Sequence, residues 1–175
     1  MTTTDLIRTH HMTITSAPLS STQGRIAQLL VDGRTNEEIA DAVGLSTETV
    51  RVQIHKLRLN VHCPPRSSRP YLAHALLRHG KAKPPQLPAR RKRFAPDADG
   101  LLLLRALAEH PGRADIARAA GLTLADLAYR TERLVNSASA SSATHLIGIG
   151  YALELLGPAA TAAAGTPARP VEVLR

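Results

Sequence analysis

The sequence predicts an all-α protein made of two tandem four-helix bundles that are joined by a basic, proline-rich linker. Aromatic residues make up only 2% of the 175 residues and Trp is absent, so the cores must be built from Leu, Ile, Val and Ala, which suits small helical bundles. Residues 35–61 carry the capping and spacing signals of two short helices. The same pattern returns later in the chain, from Ile39 to Ile116 at an offset of 116 minus 39, or 77, which is typical of a tandem repeat.

The first bundle is predicted to span residues 17–80. Residues 1–16 before it show neither a helical nor a strand period, and we expect a disordered N-terminal segment there. Helix 1 is expected from about Ser20 to Val31, with Gly33 ending it. Its inward residues are predicted to be Ile26, Leu29 and Leu30.

Helix 2 begins with a capping box. In that motif the Thr35 oxygen accepts a bond from a free backbone N–H, and the Glu38 side chain accepts one from the backbone N–H of Thr35. Gly44 can adopt the left-handed conformation that ends a helix at little cost. The apolar face between them is formed by Ile39, Ala40 and Val43.

Helix 3 begins at a cap on Ser46 and is apolar on one side only. The apolar stripe consists of Val50, Ile54, Leu57 and Val61. The open side carries Thr47, Glu48, Arg51, Val52, Gln53, His55 and Lys56. A helix with such a surface can lie in the major groove of DNA.

Together these residues resemble the helix-turn-helix of the LuxR/GerE class of bacterial transcription regulators. The resemblance rests on Leu19-Ser20-Ser21 and on the string EEIADAVGLSTETVR. It implies that the helix starting near Ser46 is the recognition helix, and that a fourth helix, from Pro70 to His79, closes the bundle and often dimerises. The chain departs from the family by having two fewer residues near the end of helix 3 and an added Cys63-Pro64-Pro65 loop.

The linker, residues 81–95, carries most of the positive charge. The chain has a formal net charge of +8, and residues 78–93 contain seven Lys and Arg but no Asp or Glu. Prolines at 84, 85 and 88 favour an extended connector. Two alternatives stay open for Arg90, Arg91, Lys92 and Arg93: a solvated linker, or an arm that contacts the DNA backbone or minor groove.

The second bundle is predicted over residues 96–157, followed by a flexible tail at 158–175. Ile39, Ala40 and Gly44 return as Ile116, Ala117 and Gly121, and the offset of 77 is expected to hold across all four helices without a gap. Thr123 and Asp126 predict a capping-box-like start for the second recognition helix.

The open side of that second helix differs from the first. It retains Tyr129, Arg130 and Arg133, which are candidate DNA contacts, but Leu124 and Ala125 replace Thr47 and Glu48. Residues 96–157 contain five basic and seven acidic residues, so phosphate attraction requires Arg118, Arg130 and Arg133 to share one face. The sequence leaves open whether this copy is a second, weaker DNA reader or a surface that binds a partner.

Small residues in the last helix predict close approach of another helix. Glycines at 148 and 150 each weaken an exposed helix by about 1 kcal/mol relative to alanine, so a packing reason is expected. The sequence favours contact with helix 1 of the same bundle. The alternative is the same helix of a second chain, which would make a homodimer.

Other site classes have little support. Cys63 beside His62 and the pair His10-His11 lack the further ligands of a zinc site, and no enzyme motif or cofactor-binding loop is present, so we predict no metal, no cofactor and no catalysis. The N-terminus lacks a signal-peptide core, no run is long enough for a membrane span, and the single cysteine fits a reducing compartment. We expect a cytoplasmic, nucleoid-associated protein.

The sequence therefore predicts a transcription regulator whose partner is double-stranded DNA. Arg51 and Lys56 would contact phosphate or guanine, Gln53 would pair with adenine, and His55 or Thr47 would assist. The alternative is an adaptor that docks RNA polymerase or another regulator through the second bundle.

Overall fold

The computed structural model describes residues 18–88 and 94–157. These residues contain eight α-helices and no β-strand, which confirms the all-α prediction. The predictions for the N-terminal segment, for Arg90–Arg93 and for the tail fall outside the described residues. In chain order the helices are α1 (Ser21–Val31), α2 (Asn36–Val43), α3 (Thr47–Asn60), α4 (Arg69–Arg78), α5 (Ala98–Glu109), α6 (Arg113–Ala119), α7 (Leu124–Ser137) and α8 (Ala143–Ala152).

The turn between α2 and α3 forms as the sequence predicts. The Glu38 N–H donates to Thr35 Oγ1 at 3.2 Å and the Thr35 N–H donates to Glu38 Oε2 at 2.8 Å, which completes the capping box. Gly44 ends α2 with a φ of 69°, and Ser46 Oγ accepts from the Thr49 N–H at 3.1 Å. Each bond satisfies an N–H that has no partner within its own helix.

The core of the first four helices is aliphatic. The predicted stripe of α3 is buried along its length, together with Ile26 and Leu30 of α1, whereas Leu29 is only half-buried. Helix α4 contributes Leu72, Ala73, Ala75, Leu76 and Leu77.

The first three helices of each half start at matching positions, 77 residues apart in the sequence. Helix α5 starts 98 minus 21, or 77, residues after α1, α6 starts 113 minus 36, or 77, residues after α2, and α7 starts 124 minus 47, or 77, residues after α3. The start of α8 follows that of α4 at an offset of 143 minus 69, or 74. Ser68 and Ser142, which cap α4 and α8, show the same offset of 74. The prediction of an ungapped offset of 77 across four helices is therefore wrong for the fourth. The connection at 61–68, which contains the added Cys63-Pro64-Pro65 loop, is three residues longer than the connection at 138–142.

The two sets of four helices share one continuous core. Helix α8 packs mainly against α4 and also against α1, while α5 packs against both α4 and α8. A Cβ on Gly150 would lie 3.3 Å from Leu104 of α5, so this glycine faces α5, the helix that the sequence favours as its partner. Gly148 does not, because a Cβ there would lie 2.9 Å from the carbonyl oxygen of Val31 and 3.0 Å from Pro85, both outside that bundle.

The described part of the linker lies along α1. The Lys83 N–H donates to Gln28 Oε1 at 2.9 Å, and Gln28 Nε2 donates to the Lys83 carbonyl oxygen at 3.0 Å. Pro85 then reaches Gly148 on α8. Residues 81–88 contain no helix, as the prolines predict, and one side-chain amide fixes their path against the first bundle.

Candidate nucleic-acid interface

Helix α3 presents one face to solvent. Because Val50, Ile54 and Leu57 turn toward the core, the opposite side of the helix is left open. The exposed residues on it are Glu48, Arg51, Val52, His55, Lys56 and Leu59. They recur three and four residues apart, so they form one continuous surface along the helix.

The five predicted contact residues of α3 are not equally placed. Arg51, His55 and Lys56 are exposed on the open face. Thr47 and Gln53 are half-buried at its edges. The structure therefore brings together three of the five predicted side chains on the exposed face of α3.

Gln53 is turned toward α1. Gln23 Nε2 donates to Gln53 Oε1 at 3.4 Å, which uses the amide oxygen of the predicted adenine reader. A bidentate contact with adenine needs both the oxygen and the nitrogen of the amide. The bond to Gln23 occupies one of the two lone pairs of that oxygen, so Gln53 Oε1 can accept a second bond and Gln53 Nε2 can still donate one.

The charges on the open face are mixed but favour a polyanion. Arg51 Nη1 lies 3.1 Å from Glu48 Oε2, and both side chains are mostly in solvent. An exposed pair of this kind contributes little to stability and is readily exchanged for another partner. Lys56 has no carboxylate within ion-pair distance among the described residues, so Arg51 and Lys56 are the cations that this surface can offer to phosphate.

Sequence reasoning gave no contact role to two apolar side chains on this face. Val52 is 45% exposed and Leu59 is 59% exposed, although both are large and apolar. Leu59 lies two residues beyond Leu57 and therefore outside the apolar stripe of α3. This position in the helical period predicts that its side chain is exposed. An exposed apolar side chain among cations can contact a thymine methyl group in a major groove.

The open face of α7 differs in chemistry. Tyr129 is 60% exposed and Leu124 is 55% exposed, and the Arg133 guanidinium carbon lies 5.8 Å from the centre of the Tyr129 ring. Arg130 is also exposed. Arg118, which would have to join them in a basic face, forms an ion pair with Asp115 at 3.0 Å on α6. The face of α7 thus combines an aromatic and an aliphatic side chain with two arginines and the exposed carboxylate of Glu132.

An opening of about 610 Å³ lies beside α7, where the first bundle has the Gln23–Gln53 bond. At the offset of 77 the matching positions are Gly100 and Arg130, and both line the opening. Glycine has no side chain to meet Arg130, so the space between α5 and α7 stays open. The guanidinium of Arg130 is consequently not tied to the first helix of its bundle, as Gln53 is.

Cys63 is part of the core and not of this surface. It is only 7% exposed, and burial raises the pKa of its thiol. No group of three or more His, Cys, Asp or Glu side chains that could hold a metal ion occurs within residues 18–88 and 94–157.

The comparison with protein families finds one match on this region. Residues 17–63 match the bacterial regulatory proteins of the luxR family. Residues 17–63 are thus one LuxR-type helix-turn-helix domain. The match contains α1, α2 and α3 and ends in the loop before α4.

The LuxR-type domain indicates a DNA-binding transcription regulator. Neither the curated proteins nor the solved structures contain a match to the chain. None of the helices in the described parts of the chain is both long and apolar enough to cross a bilayer.

Proposed function

We propose that the chain is a sequence-specific transcription regulator that places α3 in the major groove of double-stranded DNA. The observation that carries this proposal is the exposed face of α3, where Arg51, His55 and Lys56 stand together on a LuxR-type domain. The opposite face of the helix is packed on α1 and α2, so the reading surface is held by a formed core.

The side chains have different tasks in this proposal. Arg51 and Lys56 contact phosphate or guanine, and His55 or Thr47 adds a hydrogen bond at a base edge. Gln53 reads adenine, and its bond to Gln23 orients the amide at the edge of the open face. The Arg90–Arg93 block, outside the described residues, adds contacts to the DNA backbone that do not depend on sequence.

We further infer that α5–α8 are a divergent copy of α1–α4. Support comes from eight buried positions in α1–α3 whose counterparts 77 residues later, in α5–α7, are also buried. The pairs are Ile26 and Leu103, Ala27 and Leu104, Leu30 and Leu107, Val31 and Ala108, Ile39 and Ile116, Ala40 and Ala117, Val50 and Leu127, and Leu57 and Leu134. Gly44, the C-cap of α2, and Gly121, which follows the C-cap Ala120 of α6, are both left-handed, with φ of 69° and 64°. Equal burial with different surfaces is what divergence after duplication produces.

The test begins with selection of the full chain against a random duplex library at near-physiological salt. Affinities of point variants are then measured by fluorescence anisotropy on the selected site and on each single-base-pair change of it. Lys56→Ala and Arg51→Ala are expected to weaken binding by about tenfold or more, which corresponds to about 1.4 kcal/mol. A base-reading role shows as a loss confined to one base pair, and a phosphate role as a uniform loss with a smaller salt dependence.

Arg78→Ala is the matched control, because Arg78 is an exposed arginine on α4 and not on α3. It is expected to leave the selected affinity unchanged. Arg91→Ala is expected to weaken all sequences alike, whereas Gln53→Ala should cost about 1–3 kcal/mol at one base pair. Selection of no motif, or equal losses for the α3 variants and Arg78→Ala, would contradict the proposal.

A second candidate function is an adaptor that docks RNA polymerase or another regulator through α5–α8. The observation that favours it is the exposure of Tyr129 and Leu124 on α7, since aromatic and aliphatic side chains beside arginines are typical of protein-binding surfaces. DNA affinity at the non-specific level in physiological salt, together with polymerase binding that Tyr129→Ala and Leu124→Ala abolish, would support the adaptor over the DNA reader.

A further inference from the structure

We propose that α4 and α8 form an internal, two-fold-like interface, so that a single chain presents α3 and α7 together to two unlike halves of one non-palindromic DNA site. The inference rests on the proposed function of α3. It adds that α7 makes base contacts as well, that one chain occupies the whole site, and that the spacing of the two half-sites is fixed. Because Arg118 is paired with Asp115, the attraction to phosphate comes mainly from α3, which holds α7 on the same duplex.

The packing between the two bundles is reciprocal. Helix α8 packs on α1 and α4, and α4 in turn packs on α5 and α8. Thus the fourth helix of each bundle contacts the first helix of the other, and the two fourth helices contact each other. This set of contacts is what a two-fold axis between equal subunits generates.

The polar contacts across this interface repeat the same arrangement. The Ser68 N–H, at the start of α4, donates to the carbonyl oxygen of Pro111 in the α5–α6 turn at 3.0 Å. Ser141 Oγ, at the start of α8, donates to the carbonyl oxygen of Gly33 in the α1–α2 turn at 3.4 Å. In each case the start of a fourth helix is bonded to the turn after the first helix of the other bundle.

The packing surfaces of α4 and α8 are buried by contacts within the chain. Residues 144–150 of α8 are buried without interruption. At the edge of the interface the Tyr151 hydroxyl and His74 Nδ1 form a hydrogen bond of 3.0 Å. A second chain therefore cannot pack on the same faces of α4 and α8, and the chain has no need of a second copy to bring two recognition helices together.

The two bundles are also held at a fixed relation. The carbonyl oxygen of Val31 approaches Gly148 so closely that no side chain fits between α1 and α8. The two hydrogen bonds between the Gln28 side chain and the Lys83 backbone hold the described linker against α1. The contact of Pro85 with Gly148 holds it against α8. Rigid readers on a duplex bind half-sites at one fixed separation.

The two reading faces are chemically unlike, so a palindrome cannot satisfy both. Arginine can pair with guanine, and a carboxylate can accept from the amino group of cytosine, so α3 and α7 prefer different bases at equivalent positions. The pairs of open-face residues at the offset of 77 are Arg51 and Ala128, Val52 and Tyr129, Gln53 and Arg130, His55 and Glu132, and Lys56 and Arg133.

The test combines selection with stoichiometry on the full chain. The motif from the random duplex library is expected to have two unlike halves at one spacing. Native mass spectrometry of the complex with that duplex is expected to show one chain per duplex, and insertion of five base pairs between the halves should weaken binding at least tenfold because the second half rotates to the far side of the duplex.

Variants of exposed residues then show which half of the DNA site each helix contacts. The double variant Tyr129→Ala, Arg133→Ala should remove the base preference of one half only, with at least a tenfold loss on the full site. Lys56→Ala should act on the other half only. Arg113→Ala, an exposed arginine on α6 in the second bundle, is the control and should change neither half. All these residues are exposed, so folding is expected to be unaffected.

Three results would overturn the inference while leaving the proposed function intact. They are two chains per duplex, a palindromic motif, and a motif of one half that the Tyr129, Arg133 variant does not change. Selection of no motif at all would instead overturn the proposed function. The two failures are therefore distinguishable in one set of measurements.

Discussion

Replacement of Gly148 by alanine tests the packing of the two bundles. The added Cβ would lie 2.9 Å from the Val31 carbonyl oxygen and 3.0 Å from Pro85. The carbonyl belongs to the backbone of α1 and cannot turn away as a flexible side chain can. Overpacking of this kind costs about 1–3 kcal/mol. Alanine also gains about 1 kcal/mol over glycine within a helix, so the net loss of stability is expected to be about 0–2 kcal/mol.

Gly24→Ala is the matched control. Gly24 lies within α1, and no atom lies within 4 Å of the position that its Cβ would take. This substitution makes the same gain in helix propensity without a clash, and it should stabilise the chain by about 1 kcal/mol. The free energies of unfolding of the two variants should therefore differ by about 1–3 kcal/mol.

Urea unfolding followed by circular dichroism gives both free energies, and thermal midpoints should differ in the same sense by about 2–4 °C per kcal/mol. If Gly148→Ala proved as stabilising as Gly24→Ala, the close contact between α1 and α8 would not exist. The internal interface of α4 and α8 would then lose one of its supports.

Three further variants can be followed by the same urea unfolding. Burial lowers the pKa of His74 below its ordinary value of 6.5, so the unfolded chain takes up a proton first as the pH falls. Stability should decrease below about pH 6.5, and His74→Gln, which can still bond to Tyr151, should reduce that decrease between about pH 7.5 and 5.5. Ser46→Ala removes the cap of α3 and should cost about 1 kcal/mol. Gly44→Ala should cost about 1–2 kcal/mol through its φ of 69° alone, since no atom lies within 4 Å of the added Cβ; a neutral result would show that the turn relaxes.

The local features of the first bundle could be predicted because residues close in sequence determine them. The capping box joins Thr35 to Glu38, three residues away, and Ser46 caps α3 by a bond to Thr49. The apolar stripe of α3 likewise follows from helical periodicity alone. Such features need no knowledge of how the helices pack.

The contacts between the bundles could not be predicted in the same way. The small size of Gly148 predicts a close approach to helix 1 of its own bundle, but its neighbours are Val31 of α1 and Pro85, which lie far away in the sequence. The change of offset from 77 to 74 at α8 reflects the different lengths of the connections at 61–68 and 138–142, where apolar periodicity gives no register. A shift of three residues is nearly one helical turn, so the apolar pattern of the last helix looks similar in either alignment.

Comparison of Gln53 with Arg130 shows how α3 and α7 come to have different exposed surfaces. In the first bundle the amide of Gln23 holds Gln53 against α1, which restrains it at the edge of the open face. At the matching place in the second bundle, a Cβ on Gly100 would lie 2.9 Å from Asp97 Oδ1 and 3.2 Å from Leu134. The cap of α5 and the packing of α7 therefore favour glycine there, and these two constraints account for the opening beside Arg130 without any need for a ligand. The same glycine frees Arg130 from α5. We conclude that the difference between the two faces arises as much from the helix behind each residue as from the residue itself.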